Sequence, residues 1–155
     1  GDVVDVAFVP QINEYRGERS VQMNILDIRP SCAAPCPMDT FRYRALRTGQ
    51  LTPQAAAKLL PDRATLACVW RYLAAVPGGS LQESPLCLCR KIVRRSGTEL
   101  SLEQLLTCLD IFRDVGLLTV QRQHKYVSIR LTPGEGKADL TASQTMQRLL
   151  RAKES

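Results

Sequence analysis

A short basic turn, RGER at residues 16–19, separates two runs of alternating apolar and polar residues and restricts the possible folds of this chain. Apolar side chains occupy every second position near Val4–Phe8 and again near Val21–Ile25. A period of two residues is typical of a half-buried strand. After Ile25 the apolar phase shifts by one position, as a β-bulge would cause. The sequence therefore predicts a long β-hairpin with arginines at its tip.

Residues 31–39 contain two prolines and show no periodicity, so we interpret them as a linker. The next segment, 40–46, alternates aromatic or small residues with arginines, which predicts a third strand beside the hairpin with a basic outer face. Thr52 followed by Pro53 is a helix-start signal, because the first residue caps the helix and proline fits its first turn. This short helix is expected to end before Pro61.

The pattern from residue 62 onward is mainly helical. Three helices are predicted, each opened by a capping residue and followed by glycine: 62–78, 84–97 and 101–116. Two β-type runs, LLTVQ and YVSIRL, come next and are joined by residues 122–125. A last helix is expected from about Thr141 to Arg151. Three helices followed by a hairpin is the element order of a winged helix.

Several motifs of the chain resemble those of one known family. NEY, RGERSVQ and DIR, within residues 13–29, resemble the last strands of the OB-fold domain of the RecJ family, which are bacterial exonucleases specific for single-stranded DNA. LLPDRATLACVWRYL, LDIFRDVGLL and KADLTASQTMQRLL resemble the extra C-terminal domain of longer RecJ proteins from Gram-positive bacteria. The resemblance covers most of the chain and is most specific in the hairpin.

Together these features predict an α+β fold. We expect a β-hairpin or partial OB-like sheet, followed by a winged-helix-like three-helix module with a β-hairpin wing and a C-terminal helix. The expected divisions are the C-terminal hairpin of an OB-like domain at 1–30, a linker with a candidate strand and a short helix at 31–60, a winged-helix-like domain at 61–131, and a C-terminal turn and helix at 132–155.

The resemblance implies that the parent protein is a metal-dependent 5′-to-3′ exonuclease of DNA recombination and repair. Such enzymes cleave with Mn or Mg ions held by clusters of Asp and His. This chain has one histidine, His124, in a predicted surface turn, and its aspartates form no carboxylate–histidine cluster in the sequence. The sequence also lacks a phosphate-binding loop and a dinucleotide fingerprint. We therefore expect a non-catalytic fragment without cofactor, and metal-binding catalytic domains elsewhere in the parent protein.

The cysteines do not form a recognisable metal or disulfide framework. Cys32-x-x-x-Cys36 lies in a proline-rich loop, and Cys87-x-Cys89 lacks the usual spacing of a zinc site. The other two cysteines fall within helical apolar patterns, where a reduced thiol acts as a small hydrophobe. No apolar run approaches the roughly 18 residues that span a bilayer. The sequence indicates a reduced, cytoplasmic protein without membrane contact.

The net charge of +6 favours an anionic partner, and most of the excess falls within residues 61–131. Aromatic and cationic side chains together suit single-stranded nucleic acid, because rings stack on bases and cations follow phosphates. Three basic groups are candidates: the hairpin tip, the 40–46 segment, and the second predicted helix together with the wing. The candidate nucleic-acid-binding residues are Tyr15, Arg16, Arg19, Arg42, Arg44, Arg90, Lys91, Arg94, Arg95, Arg122 and Lys125.

Each basic group also has a purely structural explanation. The tip arginines would be solvated turn residues, the rings at 40–46 would face the core, and arginines near a helix C-terminus complement its dipole. The third predicted helix is expected to expose Glu103, Asp110, Arg113 and Asp114. Because carboxylates repel the phosphate backbone, this face disfavours reading of duplex DNA.

Three functions remain open at this point. The leading one is the C-terminal part of a RecJ-like exonuclease, which contributes single-stranded DNA binding or docks a replication or repair protein. The second is a protein-interaction module with no direct DNA contact, and the third is a winged-helix DNA-binding regulator. Because two strands alone are marginal in water, the exposed edge of the hairpin is expected to be covered either by the helical module or, through self-association, by another copy of the chain.

Overall fold

A computed structural model describes residues 4–30, 40–123, 126–134 and 138–154. These residues form an α+β protein with five β-strands and six α-helices. The chain divides into two compact units, Gly1–Cys32 and Ala33–Ser155. The first unit is all β, and the second combines helices with a small sheet.

The first unit is a single β-hairpin. Strand β1 (Val4–Tyr15) pairs antiparallel with β2 (Glu18–Pro30). Arg16 and Gly17 connect the strands, and their φ angles are both positive, at 54° and 83°. Two positive φ angles are what a type I′ turn requires, and its twist matches that of the paired strands. The predicted hairpin is confirmed, with Arg16 at its tip.

A β-bulge interrupts the pairing where the sequence predicted one. Ala7 pairs with Asp27 and Phe8 pairs with Ile25, so Leu26 is an extra residue in β2. The extra residue compensates for the shift in the apolar pattern of the sequence. Apolar residues on both sides of the bulge therefore share one face of the hairpin.

The register gives the hairpin one polar and one apolar face, because cross-strand partners share a side and successive residues alternate. On the polar face, Arg29 Nε lies 3.6 Å from Asp5 Oδ2, and the Asn24 amide donates to Gln11 over 2.7 Å. The opposite face carries a continuous apolar row, and its side chains are exposed. The pairs in this row, called the apolar row below, are Val6–Ile28, Phe8–Ile25, Pro10–Met23 and Ile12–Val21.

The second unit packs helices against a three-stranded antiparallel sheet with the strand order β3-β5-β4. Short 3-10 turns at Pro77–Gly79 and Leu140–Ala142 join some of its elements. In chain order the elements are α1 (Phe41–Thr48), α2 (Pro53–Leu59), α3 (Arg63–Ala74), β3 (Ser80–Glu83), α4 (Pro85–Ser96), α5 (Leu102–Asp114), β4 (Leu118–Arg122), β5 (Val127–Leu131) and α6 (Gln144–Glu154).

Capping residues begin four helices where the sequence predicted them. The side chains of Thr52, Asp62 and Ser84 each accept a hydrogen bond from a backbone N–H three positions later. Ser101 and Gln104 form the reciprocal bonds of a capping box at the start of α5. These signals are local, because a cap and its helix are neighbours in the sequence. The predicted helices α2 to α5 are confirmed.

The predicted strand at 40–46 is wrong, because this segment forms α1. Tyr43 and Leu46 are three positions apart and both buried, whereas Phe41 and Arg44 are exposed. That spacing places the two buried side chains on one face of a helix. The alternation of rings and arginines over so few residues also fitted a strand, and packing within the second unit favours the helix.

Two further elements differ from the sequence prediction. Strand β3 was not predicted, since its four residues have too little pattern and form a strand by pairing with β5. Helix α6 begins at Gln144 rather than at Thr141. The reason is a cap, because Ser143 Oγ accepts a hydrogen bond from the Met146 N–H at 3.2 Å.

Helix α5 lies at the centre of the second unit. Ten of its 13 residues are buried, and it contacts α1, α2, α4, α6 and β4. The predicted exposure of Glu103 and Asp110 is wrong, because these residues are only 3% and 4% exposed. Both carboxylates find arginine partners on neighbouring elements, which makes their burial tolerable. Arg113 is exposed, as predicted, whereas the Asp114 side chain is only 12% exposed.

Candidate nucleic-acid interface

The hairpin tip places one aromatic and two cationic side chains near the turn. The Arg16 guanidinium lies over the Tyr15 ring, 5.2 Å from its centroid, and Tyr15 is 69% exposed. Arg19 Nε lies 3.5 Å from the Glu14 carboxylate, its cross-strand partner. Such an exposed ion pair contributes little to stability. The tip offers an exposed ring and a cation side by side, a combination that suits a base and its phosphate.

Arg42, the first candidate on α1, is engaged within the fold. Its Nη2 lies 2.5 Å from Oε2 of buried Glu103, and its backbone N–H donates to Oε1 over 2.6 Å. The Tyr43 N–H donates to the same oxygen over 3.3 Å. Since Thr40 makes no side-chain cap, Glu103 supplies the acceptors that the start of α1 needs. Arg44, the next candidate, points away from this contact and is exposed.

Arg122 belongs to a buried cluster around Asp110. Arg122 Nη2 and Arg113 Nη1 lie 3.0 Å and 2.8 Å from Asp110 Oδ1, and the Tyr43 hydroxyl donates to Oδ2. The Arg122 guanidinium also lies 5.2 Å from the centroid of the Tyr43 ring. Burial, and next the Asp110 carboxylate, raise the pKa of Tyr43 well above its ordinary value. Arg122 thus ties β4 to α5 and α1, while Lys125 lies outside the described residues.

The α4 candidates lie beside an aromatic ring of α3. Lys91 forms an ion pair with Glu83 of β3, and this hydrogen bond raises the pKa of Lys91. The Arg95 guanidinium lies over the Tyr72 ring, 5.8 Å from its centroid. The helix thereby presents cationic side chains next to a π face. The other two candidates on this helix are Arg90 and Arg94.

Arg71 is a basic residue that the sequence interpretation missed. It lies on α3 and lines a cleft between α3 and α4 together with Tyr72 and Arg95. A signal was present, because Arg71 falls on the polar side of the apolar pattern of its helix. Its proximity to Arg95 depends on the packing of α3 against α4, which no local pattern shows. The structure therefore places Arg95 and Arg71 in the lining of the same cleft. Arg42 and Arg122, in contrast, are bound to buried carboxylates.

Metal-ligating side chains are not clustered in the part of the chain that the structure describes, where no group of three or more His, Cys, Asp or Glu could hold an ion. Cys68, Cys89 and Cys108 are free thiols, while Cys32 and Cys36, like His124, lie outside the described ranges. Burial raises the pKa of Cys89 to about 11. Its thiol therefore stays protonated and unreactive at neutral pH.

Comparisons with known proteins give this chain no family. No family model, curated protein or solved structure matches it. Among the described helices, none is long and apolar enough to cross a membrane.

Proposed function

We propose that this chain is the non-catalytic C-terminal part of a RecJ-like exonuclease specific for single-stranded DNA, and that it helps to hold the strand. The observation that carries the proposal is the amphipathic hairpin with its exposed apolar row. The motifs that most specifically resemble the RecJ family lie on this same hairpin. The parent protein would act in DNA recombination and repair in the cytoplasm.

The apolar row needs a cover that the hairpin itself does not provide. A two-stranded hairpin is marginal in water, and burial of one Val or Ile side chain is worth about 1.5–3 kcal/mol. An OB barrel closes from about five strands and buries the apolar face of each. The bulge at Leu26 supports this assignment, because bulges add the twist and curvature that barrels require. The remaining strands would come from the parent protein.

The tip of the hairpin supports contact with a single strand. In OB folds, single-stranded nucleic acid lies across strand faces and loops, where aromatic rings stack on bases. Tyr15 and Arg16 are exposed and adjacent, so they match this requirement. Each phosphate contact adds only modestly to the affinity, so the tip alone would bind a single strand weakly. Tighter binding would require further cationic side chains.

The second unit supports an accessory role. We assign it as winged-helix-like, since α3, β3, α4, α5, β4 and β5 follow in the order of that module and the three strands form one sheet. A winged helix that reads duplex DNA inserts the helix equivalent to α5 into the major groove. Burial of ten of the 13 residues of α5 leaves little of it for such contact. A duplex-reading regulator is therefore disfavoured by burial rather than by acidic repulsion.

Cleavage is assigned to domains outside this chain. The divalent ions of such nucleases need several convergent carboxylate and imidazole ligands. The described residues do not offer such a set. DNA hydrolysis would be performed by metal-binding domains of the parent protein, as the resemblance to the RecJ family implies.

A fluorescence-anisotropy titration with labelled single-stranded and duplex oligonucleotides at low salt tests the proposal. We expect tighter binding of the single strand, and no cleavage when Mn²⁺ is added. Tyr15→Ala should weaken binding about fivefold, since one base–ring stack is worth 1 kcal/mol or more. Gln11→Ala, on the same face of the hairpin, is the control. A folded chain that binds neither oligonucleotide, or that cleaves DNA itself, would contradict the proposal.

A protein-docking role without DNA contact is the second candidate. An apolar cleft of about 650 Å³ favours it, with Leu66, Trp70, Phe112, Leu117 and Met146 in its lining. The rings of Trp70 and Phe112 meet edge to face, with centroids 5.4 Å apart. Because Trp70 is the only tryptophan of the chain, its fluorescence reports on the cleft. A spectral change on adding a purified replication or repair protein, without single-strand binding, would favour this role.

A further inference from the structure

A basic cleft of about 500 Å³ lies between α3 and α4. Its volume falls within the range typical of small-ligand sites, roughly 300–1,000 Å³. None of the described residues in its lining is acidic. The polar and cysteine side chains of the lining are Cys68, Arg71, Tyr72, Arg95, Ser96 and Thr98.

The two arginines of the cleft, both exposed, lack an ion-pair partner among the residues that the structure describes. This distinguishes them from Arg42 and Arg122, which are bound to carboxylates. Guanidinium groups bind phosphate through two parallel hydrogen bonds, so a pair of them beside one cleft suits a phosphodiester.

An aromatic ring, Tyr72, also lines the cleft and lies against one of these cations. Tyr72 is half-buried, and the Arg95 guanidinium lies 5.8 Å from its centroid. Hydrogen bonds fix another part of the lining. Ser96 Oγ donates to the Ile92 carbonyl over 2.8 Å and accepts from the Thr98 N–H over 3.1 Å. A nucleobase can stack on a tyrosine ring or on a guanidinium plane. The cleft therefore presents groups for both parts of a nucleotide.

We propose that this cleft binds one nucleotide of single-stranded DNA, with its phosphate between Arg71 and Arg95 and its base against Tyr72. The phosphate-binding chemistry stands on the cleft alone, and the choice of a DNA strand rests on the function proposed above. A concave cleft admits an unstacked nucleotide of a flexible strand. Duplex DNA keeps its bases paired and is read by an element that protrudes into a groove, which this cleft does not supply.

The test is an anisotropy titration of a labelled single strand with three forms of the full chain over a series of salt concentrations. The cleft variant is Arg71→Ala with Arg95→Ala. Its charge-matched control is Arg148→Ala with Lys153→Ala, two exposed residues of α6 that do not line the cleft. We expect the cleft variant to lose about tenfold in affinity and the control to lose much less. The slope of log affinity against log salt should fall by about 0.7 for each arginine removed.

Further measurements separate the possible reasons for a loss. Thermal melts of both variants should match the wild type, because all four residues are exposed. Arg71→Lys with Arg95→Lys should keep the salt slope and still weaken binding, since lysine keeps the charge but not the planar stack. Excess deoxythymidine monophosphate should displace the strand poorly, and efficient displacement would overturn the assignment to a strand.

Strand binding by the variants tests the cleft site, whereas strand binding by the wild type tests the proposed function. Equal losses in the cleft variant and in the α6 control would overturn the cleft site, while single-strand binding by the wild type would still support the proposed function. No binding of the strand by the folded wild type would overturn both.

Discussion

Glu103 caps helix α1, because its carboxylate accepts a hydrogen bond from the backbone N–H of Arg42, 61 positions earlier, and pairs with the Arg42 guanidinium. Glu103 is only 3% exposed, so the contact is shielded from water. The start of α1 thus depends on a side chain of α5. A tertiary ion pair performs the task that a neighbouring Ser, Thr or Asp performs in other helices.

Glu103→Ala should therefore lower the free energy of unfolding by about 2–3 kcal/mol. Loss of a cap costs about 1 kcal/mol, and loss of one partner of a buried ion pair adds to it, reduced here because the Arg42 side chain is 39% exposed. Urea unfolding measures the change. Glu99→Ala, at an exposed loop position, should change the free energy by less than about 0.5 kcal/mol. Equal effects of the two substitutions would contradict the capping role.

Tyr43 should make stability depend on alkaline pH. Its folded pKa is raised by burial and by Asp110, above an ordinary value of 10.0, so the folded state holds a proton that the unfolded state releases. The stabilisation is complete below pH 10 and is lost as pH rises above it, by about 1.4 kcal/mol per pH unit for one proton.

Tyr43→Phe is the matched change for this effect. It removes the hydroxyl that donates to Asp110, at a cost of about 1–2 kcal/mol near neutral pH. The difference between wild type and variant should shrink above pH 10, measured by urea unfolding at several pH values. Tyr15→Phe, which removes the hydroxyl of an exposed ring, is the control. A constant difference between wild type and Tyr43→Phe from pH 7 to 11 would argue against the buried hydroxyl as the cause.

Asp114 links the end of α5 to the start of α6. Its Oδ2 accepts hydrogen bonds of 2.9 Å from both the Ser143 hydroxyl and the Thr145 N–H. Burial acts to raise the pKa of Asp114, but the hydrogen bonds from Thr145, Arg113 and Ser143 outweigh it, so the pKa is lowered. The ionised carboxylate therefore stabilises the fold at pH values above 3.8, the ordinary pKa of Asp. This contribution is lost as the pH falls through the lowered pKa of Asp114.

Asp114→Ala should destabilise the start of α6 by about 1 kcal/mol at pH 7. Hydrogen exchange of the amides of α6 should become faster, while the amides of α3 keep their protection. The difference from wild type should disappear in acid, where the carboxylate is protonated in both states. Asp139→Ala is a suitable comparison, because Asp139 accepts bonds only from nearby Thr141 among the contacts described. Faster exchange throughout the unit would point to global rather than local destabilisation.

The features that sequence alone predicted correctly depend on neighbouring residues. The turn at Arg16 and Gly17, the bulge after Ile25 and the capping box at Ser101 each involve residues a few positions apart. Local backbone preferences and hydrogen bonds fix such features wherever the segment lies. These local signals were therefore enough to predict the hairpin and the helices α2 to α5 without knowledge of the packing.

The features that sequence reasoning missed are tertiary contacts. The segment 40–46 alternates like a strand, yet it is helical because Glu103 caps it and because Tyr43 reaches Asp110. The same contacts bury the two carboxylates that were expected to face solvent. Likewise, Arg71 and Arg95 share a cleft only through the packing of α3 against α4. Charge in the sequence therefore did not show which arginines the fold leaves available for a partner.

The apolar row of the hairpin should make the isolated chain self-associate. Ile12 and Val21 face each other across the strands and are 65% and 74% exposed. Both strands of a two-stranded sheet are also edges, with backbone groups that can pair with a second copy. Sedimentation velocity over a range of concentrations should show a reversible increase in mass.

Ile12→Lys with Val21→Glu should abolish much of this increase, because the two charges oppose burial of the row while attracting each other across the strands. Gln11→Lys with Gln22→Glu introduces the same charges at the adjacent cross-strand pair, on the polar face, and should leave the association unchanged. If the chain stays monomeric at all concentrations, or if both variants associate like the wild type, then the apolar row does not drive association. Under the proposed function, the remaining strands of a RecJ-like parent protein would bury the same row, and association should disappear when those strands are present.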